Sequence, residues 1–303
     1  MNRMKLHILT LLIVPIYISS MESEKLWPTH MKSSTDVNFE DLQSGKTKIE
    51  AILWDFHNIL ALPDNQAKTE FATQTFSKFG ISFEQLKSKY PEIAHDTQKI
   101  ILNGFKEIQK KALDSNEALK NAIGNIPTGA LGEMYGAVFR NYGYNDMATL
   151  ADELSTMYQP RLTMKELILA LASQGIKHYL GSNIAPHIYE CIKSKFKEKY
   201  GNNMLDSIEI GAIVDISPYG LVPPSTIPHT KLAPEKKPSG EFFKTYRRTC
   251  YNTSMVTAFI DDKEANIIES LNHGPMIGIL LNGKDPEFSK KLIESLRLLK
   301  ITL

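Results

Sequence analysis

Two periodicities divide the chain. Residues 48–54 (KIEAILW) form a compact apolar run that stops at Asp55, the pattern of a strand buried on both faces and opening on polar residues. From Asp64 to about Tyr158 the spacing turns helical: Ala67, Phe71, Thr75 and Phe79 recur every fourth residue, Asp64 can cap the start and Gly80 can end the helix. Further helices are expected over 83–90, 92–113, 131–142 and 147–158, with no strand in the whole insert. Strand and helix then alternate. Helices at 164–174, 186–200, 240–249 and 263–271 are interleaved with strands at 176–181, 208–214, 255–260 and 276–281. Such alternation calls for an α/β core with a mostly parallel sheet and helices on both faces. The core takes 48–63 and 160–303, and an all-helical insert takes 64–159. Residues 217–237 carry five prolines, Pro218, Pro223, Pro224, Pro228 and Pro234, which favour a long loop over a helix or a central strand.

At the other end of the chain, Arg3 and Lys5 precede the apolar run 6–18 (LHILTLLIVPIYI), and Ser19-Ser20 follow. The run is shorter than the roughly 20 residues that a spanning helix needs, and Pro15 interrupts it. Residues 1–20 therefore read as an export signal and not as a permanent membrane anchor, which implies a periplasmic or secreted protein. A start at Met21 or Met31 is the competing reading and implies a cytoplasmic one. Polar residues 21–47, with Pro28, Ser33, Ser34 and Gly45, read as a linker.

Composition narrows the function classes. Thirty-five basic against 34 acidic side chains, a formal net charge of +1, create no field to gather a nucleic acid, and no dense Lys/Arg run occurs. Two distant cysteines, Cys191 and Cys250, exclude a disulfide scaffold and a cysteine-rich zinc site.

Open α/β sheets collect ligands at the carboxyl ends of their strands, so the polar residues directly after each expected strand are the candidate site. They are Asp55, His57 and Asn58 (WDFHNIL), Ser182 and Asn183 (YLGSNI), and Asp261 and Asp262 (FIDDKEANI), with Lys237 (KKPSGEFF) ahead of the 240–249 helix. Acids of this kind can hold Mg²⁺, while a lysine and a hydroxyl steady a phosphoryl group under attack by a carboxylate.

In the order D-x-[DHY]-x-x-[LV], hydrophobic-S-N, K-P-x-x-x-F and hydrophobic-D-D-x-x-x-N, these segments resemble the haloacid dehalogenase-like (HAD) hydrolase superfamily from about Ile49 to Gly278. The resemblance implies a Rossmann-like core with the helical insert as a cap. It implies Asp55 as a nucleophile that becomes an aspartyl-phosphate, Ser182 as a ligand of the phosphoryl oxygens with Asn183 beside it, and Lys237 as the neutralising cation. Asp55, Asp261, Asp262 and the main-chain carbonyl of His57 would hold Mg²⁺, and the substrate would be a small phosphorylated molecule.

Phosphatases of that family place a second Asp two positions after the nucleophile, where this chain has His57; the threonine that often follows two places later is Ile59. Imidazole can carry the proton, but its reach and charge differ from a carboxylate's. The rival reading is a catalytically silent relative that binds a ligand or a protein partner. Other signals fall away. Residues 278–284 (GILLNGK) have P-loop spacing, but Asp285 stands where a Ser or Thr would bind Mg²⁺. His187 and Cys191 share a helix face, yet two ligands do not make a zinc site. Asn252-Thr253-Ser254 fits a glycosylation acceptor, relevant only in a eukaryotic secretory pathway.

Overall fold

The structure of the protein, a computed structural model, describes residues 28–114, 116–126, 132–220, 225–250, 252 and 254–302. The expected export signal lies outside them. No helix among the described residues is long and apolar enough to cross a membrane.

The chain enters through β1 (Met31–Ser33) and α1 (Phe39–Gln43), then runs down the centre of the core as β2 (Ala51–Trp54). A short strand, β3 (Ala61–Pro63), leads out into the insert, and β4 (Tyr158–Pro160) returns antiparallel beside it. Between them lie α2 (Asn65–Lys78), α3 (Phe83–Lys89), α4 (Thr97–Leu113), α5 (Glu117–Gly124), α6 (Gly132–Asn141) and α7 (Asn145–Thr156). Side chains start several of these helices by satisfying free backbone N–H groups: Asp64 accepts from Ala67, and Ser82 and Gln85 form a reciprocal capping box.

After β4 come α8 (Thr163–Ala172), β5 (Lys177–Ser182), α9 (Pro186–Tyr200), β6 (Glu209–Val214), β7 (Leu232–Ala233), α10 (Gly240–Thr249), β8 (Thr257–Asp261), α11 (Glu264–Ser270), β9 (Met276–Leu280) and α12 (Phe288–Leu298). Seven strands make one sheet in the order β1-β9-β8-β2-β5-β6-β7, parallel throughout except for β1. The fold class is therefore α/β, with a mostly parallel sheet and a helical insertion. Every residue of β2 is buried, as a run without polar alternation requires at the middle of a two-faced sheet. Successive connections leave β2 toward β5 and return on its other side at β8, so the strand order switches at β2 and opens a crevice at its carboxyl end.

Three expectations need correction. Residues 28–47 are not a linker: β1 pairs with β9 at the sheet edge, and Met31, Val37 and Leu42 are buried. A three-residue edge strand shows too little alternation to stand out from a polar background. The proline-rich stretch is not all loop either, because Leu232–Ala233 adds an edge strand to β6, a place where proline neighbours are tolerated. The insert likewise ends in a strand, since Tyr158 begins β4.

Candidate active site

Register brings the core residues together. Trp54 pairs with Leu180 on one side and with Ile260 on the other, so Asp55, Gly181 and Asp261 leave the sheet at one level. Lys237 arrives from the loop before α10 and bridges them. Its ammonium donates to Asp55 Oδ1 at 2.7 Å, to Asp261 Oδ2 at 2.6 Å and to the Gly181 carbonyl at 2.8 Å, all three donor hydrogens used. Asn183 fixes this lysine's backbone: its Oδ1 accepts from Lys237 N at 2.7 Å, and its Nδ2 donates to the Lys237 carbonyl at 3.3 Å. Ser182 is buried at the end of β5, and its Oγ accepts from Ile184 N.

Asp261 is fully buried and held from every side. Oδ1 accepts from Lys263 N at 2.8 Å, and Asn266 Nδ2 reaches both carboxylate oxygens at 3.0 Å. Asp262 Oδ2 accepts from Asn58 Nδ2 at 2.6 Å, while its Oδ1 is buried without a partner. Asn58 sits at φ 64°, a conformation asparagine tolerates better than most residues. Arg161 secures that turn by donating to the Asn58, Ile59 and Gly283 carbonyls. Gly283 itself must lack a side chain, because a Cβ there would lie 1.9 Å from the Asn58 carbonyl oxygen.

Asp55, Asp261 and Asp262 offer carboxylate oxygens within 4.8 Å of one another. Three hard oxygen donors, one of them the orphaned Asp262 Oδ1, are the donor chemistry of a small divalent cation such as Mg²⁺. Burial pushes the Asp55 carboxyl up to about 7, against the pull of Lys237; a cation among the three carboxylates would act in the same direction as Lys237. For Lys237, burial disfavours the charged form, and the Asp261 and Asp55 carboxylates outweigh it, so its pKa lies above the ordinary value.

His57 points toward the insert. Its Nδ1 lies 2.8 Å from the Tyr158 hydroxyl, across the junction where β4 closes the cap. Burial and then the ammonium groups of Lys68, Lys263, Lys284 and Lys237 push the imidazole down to about 4, so the ring is neutral near pH 7. Above this floor is a cavity of 390 Å³ whose walls include Ile101, Leu102, Phe105, Leu154, Lys68 and Glu133 from the insert. Burial pushes the Glu133 carboxyl up to about 7.

No family model matches the chain, and no curated protein matches it. Among solved structures it is similar to a HAD family enzyme from Bacteroides thetaiotaomicron, with 16% identity and a TM-score of 0.43 over 79% of this chain and 97% of that one. It is similar also to the L-2-haloacid dehalogenase from Xanthobacter autotrophicus, with 15% identity and a TM-score of 0.42 over 82% of this chain and 83% of that one. A third, CbbY from Rhodobacter sphaeroides in complex with phosphate, has 14% identity and a TM-score of 0.39 over 74% of this chain and 82% of that one. The four motif segments end up around one crevice in chain order, with the helical insert leaving after the first.

The candidate residues line or adjoin one crevice, Asn58 through its hydrogen bond to Asp262. Asp55, Ser182, Asn183, Lys237, Asp261 and Asp262 gather at the strand ends, and His57 stands at the edge facing the cap. Lys237 is no solvated surface lysine, because its side chain is 2% exposed. The site also uses Asn266, which ends the hydrophobic-D-D-x-x-x-N segment, whereas Arg161 and, in the insert, Tyr158, Lys68 and Glu133 follow no spacing that marks them. His187 and Cys191 form no metal cluster among the described residues; His187 instead faces Asp152 at 3.7 Å.

Proposed function

We propose that the protein is a Mg²⁺-dependent hydrolase of the phosphatase type, acting on a small phosphorylated metabolite through an aspartyl-phosphate on Asp55. The observation that carries this reading is the bridge made by Lys237, 2.7 Å from Asp55 and 2.6 Å from Asp261. Isolated acids after strands are commonplace, but a buried ammonium held between two carboxylates costs desolvation and serves well as a preset countercharge for an incoming phosphoryl group.

Asp55 Oδ1 is engaged by Lys237, which leaves Oδ2 to attack phosphorus. The new O–P bond forms as the ester P–O bond breaks, and the departing oxygen takes up a proton from solvent water. Ser182 and Lys237 bind the phosphoryl oxygens. Water then attacks the same phosphorus, gives its proton to His57, and releases inorganic phosphate and Asp55. Mg²⁺, held by Asp55, Asp261, Asp262 and the His57 carbonyl, would supply further neutralisation of phosphoryl charge. With Nδ1 engaged by Tyr158, Nε2 is the ring nitrogen left to exchange protons. A neutral ring takes a proton more readily than it gives one, so His57 suits the water-activating half of the cycle better than protonation of the leaving group.

That same tie favours a second reading, a silent relative that binds its ligand without turnover. Phosphate release from a panel of phosphomonoesters, with Mg²⁺ or EDTA, separates the two. Active wild type whose turnover falls by about 10⁴-fold or more in Asp55→Asn supports the hydrolase. Inert wild type that gains activity in His57→Asp establishes the silent relative, and activity indifferent to Asp55→Asn eliminates the mechanism.

A further inference from the structure

The roof of the cavity carries a cation that no carboxylate of the described residues pairs with directly. Lys68, on α2, lines the cavity, and its ammonium lies 4.7 Å from the centre of the Tyr158 ring. Among the described residues no carboxylate comes within 4.0 Å of it and none accepts a hydrogen bond from it. The contrast with Lys237 is sharp: that ammonium has two carboxylates and a carbonyl, while Lys68 has one aromatic face. Ile101, Leu102, Phe105 and Leu154, which share the cavity wall with it, offer nothing that could bond to an ammonium.

A lysine on an ordinary surface is solvated and signifies nothing. Lys68 is different, because burial strips enough water from it to push its pKa down to about 8, with Glu133 and Asp64 restoring only part. Cation–π contact replaces some of that hydration and leaves the charge itself uncancelled. On the floor below, the phosphoryl group already has Lys237 and Ser182, so it does not need Lys68.

We propose that the substrate bears a second anionic group, joined to its phosphoryl group through a short apolar carbon chain, and that Lys68 receives it. This rests on the reading of the Asp55 end as the phosphoryl site. The apolar walls cover the carbon chain, and the ammonium over Tyr158 ends the pocket with a charge that only an anion completes. Glu133 is the cap carboxyl that lines the same cavity and opposes such a group, so it limits affinity in its ionised form. Lys68 is accordingly a specificity-determining residue supplied by the cap.

The test compares three compounds with the same three-carbon spacing: the phosphate ester of 3-hydroxypropanoate, propyl phosphate, and 1,3-propanediol bisphosphate. For the full-length protein, kcat/KM is measured with Mg²⁺, and Kd by calorimetry without added metal. A doubly anionic compound should exceed propyl phosphate by about tenfold or more in kcat/KM and lie below it by about the same factor in Kd, the size of one charge-assisted hydrogen bond. The carboxylate and bisphosphate arms then tell which anion fits. Lys68→Met should erase that ratio, Lys68→Arg should keep most of it, and Glu133→Gln should raise it. A ratio near one in wild type, or a ratio untouched by Lys68→Met in a folded variant, overturns the proposal. Absence of turnover on every compound overturns the hydrolase reading alone, because the Kd ratio still decides the role of Lys68.

Discussion

The floor and the roof of the cavity are built on opposite principles. On the floor, the charged groups are largely answered within the chain: Lys237 by Asp55 and Asp261, Asp261 further by Asn266 and Lys263 N, and Asp262 by Asn58 at one oxygen, with Oδ1 left over at the place a cation would take. The partners come from strand ends whose register is locked by β2 and its neighbours, so the distances are a property of the sheet. On the roof, Lys68 and Glu133 are partly desolvated among apolar side chains, and burial displaces the pKa of each toward its neutral form. A presatisfied floor suits an operation that is the same for every substrate, and an unsatisfied roof suits a group that the substrate has to bring.

The contrast is broken most forcefully at Lys237. Lys237→Met leaves two carboxylates, 8% and 0% exposed, facing each other without their cation. Removing one partner of such a buried set costs about 3–5 kcal/mol, because the remaining charges stay desolvated. Urea unfolding in EDTA should show that loss, and added Mg²⁺ should return part of it to the variant. If Lys237→Met unfolds at the wild-type midpoint in EDTA, the floor is not a paired system and the difference from the roof disappears.

Glu133 tests the roof. Its carboxyl moves from an ordinary 4.5 to about 7 on folding, chiefly by burial. The folded state therefore holds the proton more tightly than the unfolded chain does. The stability this contributes is fully present below pH 4.5 and is lost as pH rises toward 7, a difference of about 3 kcal/mol. Glu133→Gln should remove that slope, so wild type and variant should diverge steadily between those limits in urea midpoints. Parallel midpoints across the range would mean that Glu133 is solvated, and the roof would then resemble ordinary surface.

Floor and roof also differed in how far the chain alone disclosed them. Asp55, Ser182, Asn183, Lys237, Asp261 and Asp262 are legible because strand ends are legible: an apolar run that stops at a polar cluster names both the strand and the residues at its mouth. The helical insert was legible as a whole, by its spacing, but α5 and the strand starting at Tyr158 were not. Lys68 and Glu133 lie on helices where a charged residue normally faces water, and only packing, of α2 against α4 and α7 and of α6 against α7, turns them inward. Helical periodicity reports which face is apolar without reporting which neighbour covers a polar position. Arg161 carries no signal of its own in the sequence, because its task, holding the Asn58 turn by three carbonyls, depends on a loop more than a hundred residues away. The edge strand β1 was lost for a different reason, since three residues cannot establish a period.

The smallest expected effect lies where floor and roof meet. Tyr158 belongs to the returning strand of the cap, and His57 to the loop after β2, so their 2.8 Å hydrogen bond is a polar link between the imidazole and the cap stem. Tyr158→Phe keeps the ring under Lys68 and its edge contact with Phe56, and removes only the hydroxyl. Losing one neutral hydrogen bond is worth about 1 kcal/mol, so turnover should fall by about three- to tenfold while the fold holds. Because the imidazole is then free to rotate, the loss should appear in kcat more than in KM, the sign of a group that positions the base and does not bind substrate. An unchanged kcat would place His57 outside the reaction and leave the cap with selectivity as its whole contribution. A fall in kcat/KM through KM alone would instead make Tyr158 part of the substrate wall, and the boundary between floor and roof would have to be drawn one residue lower.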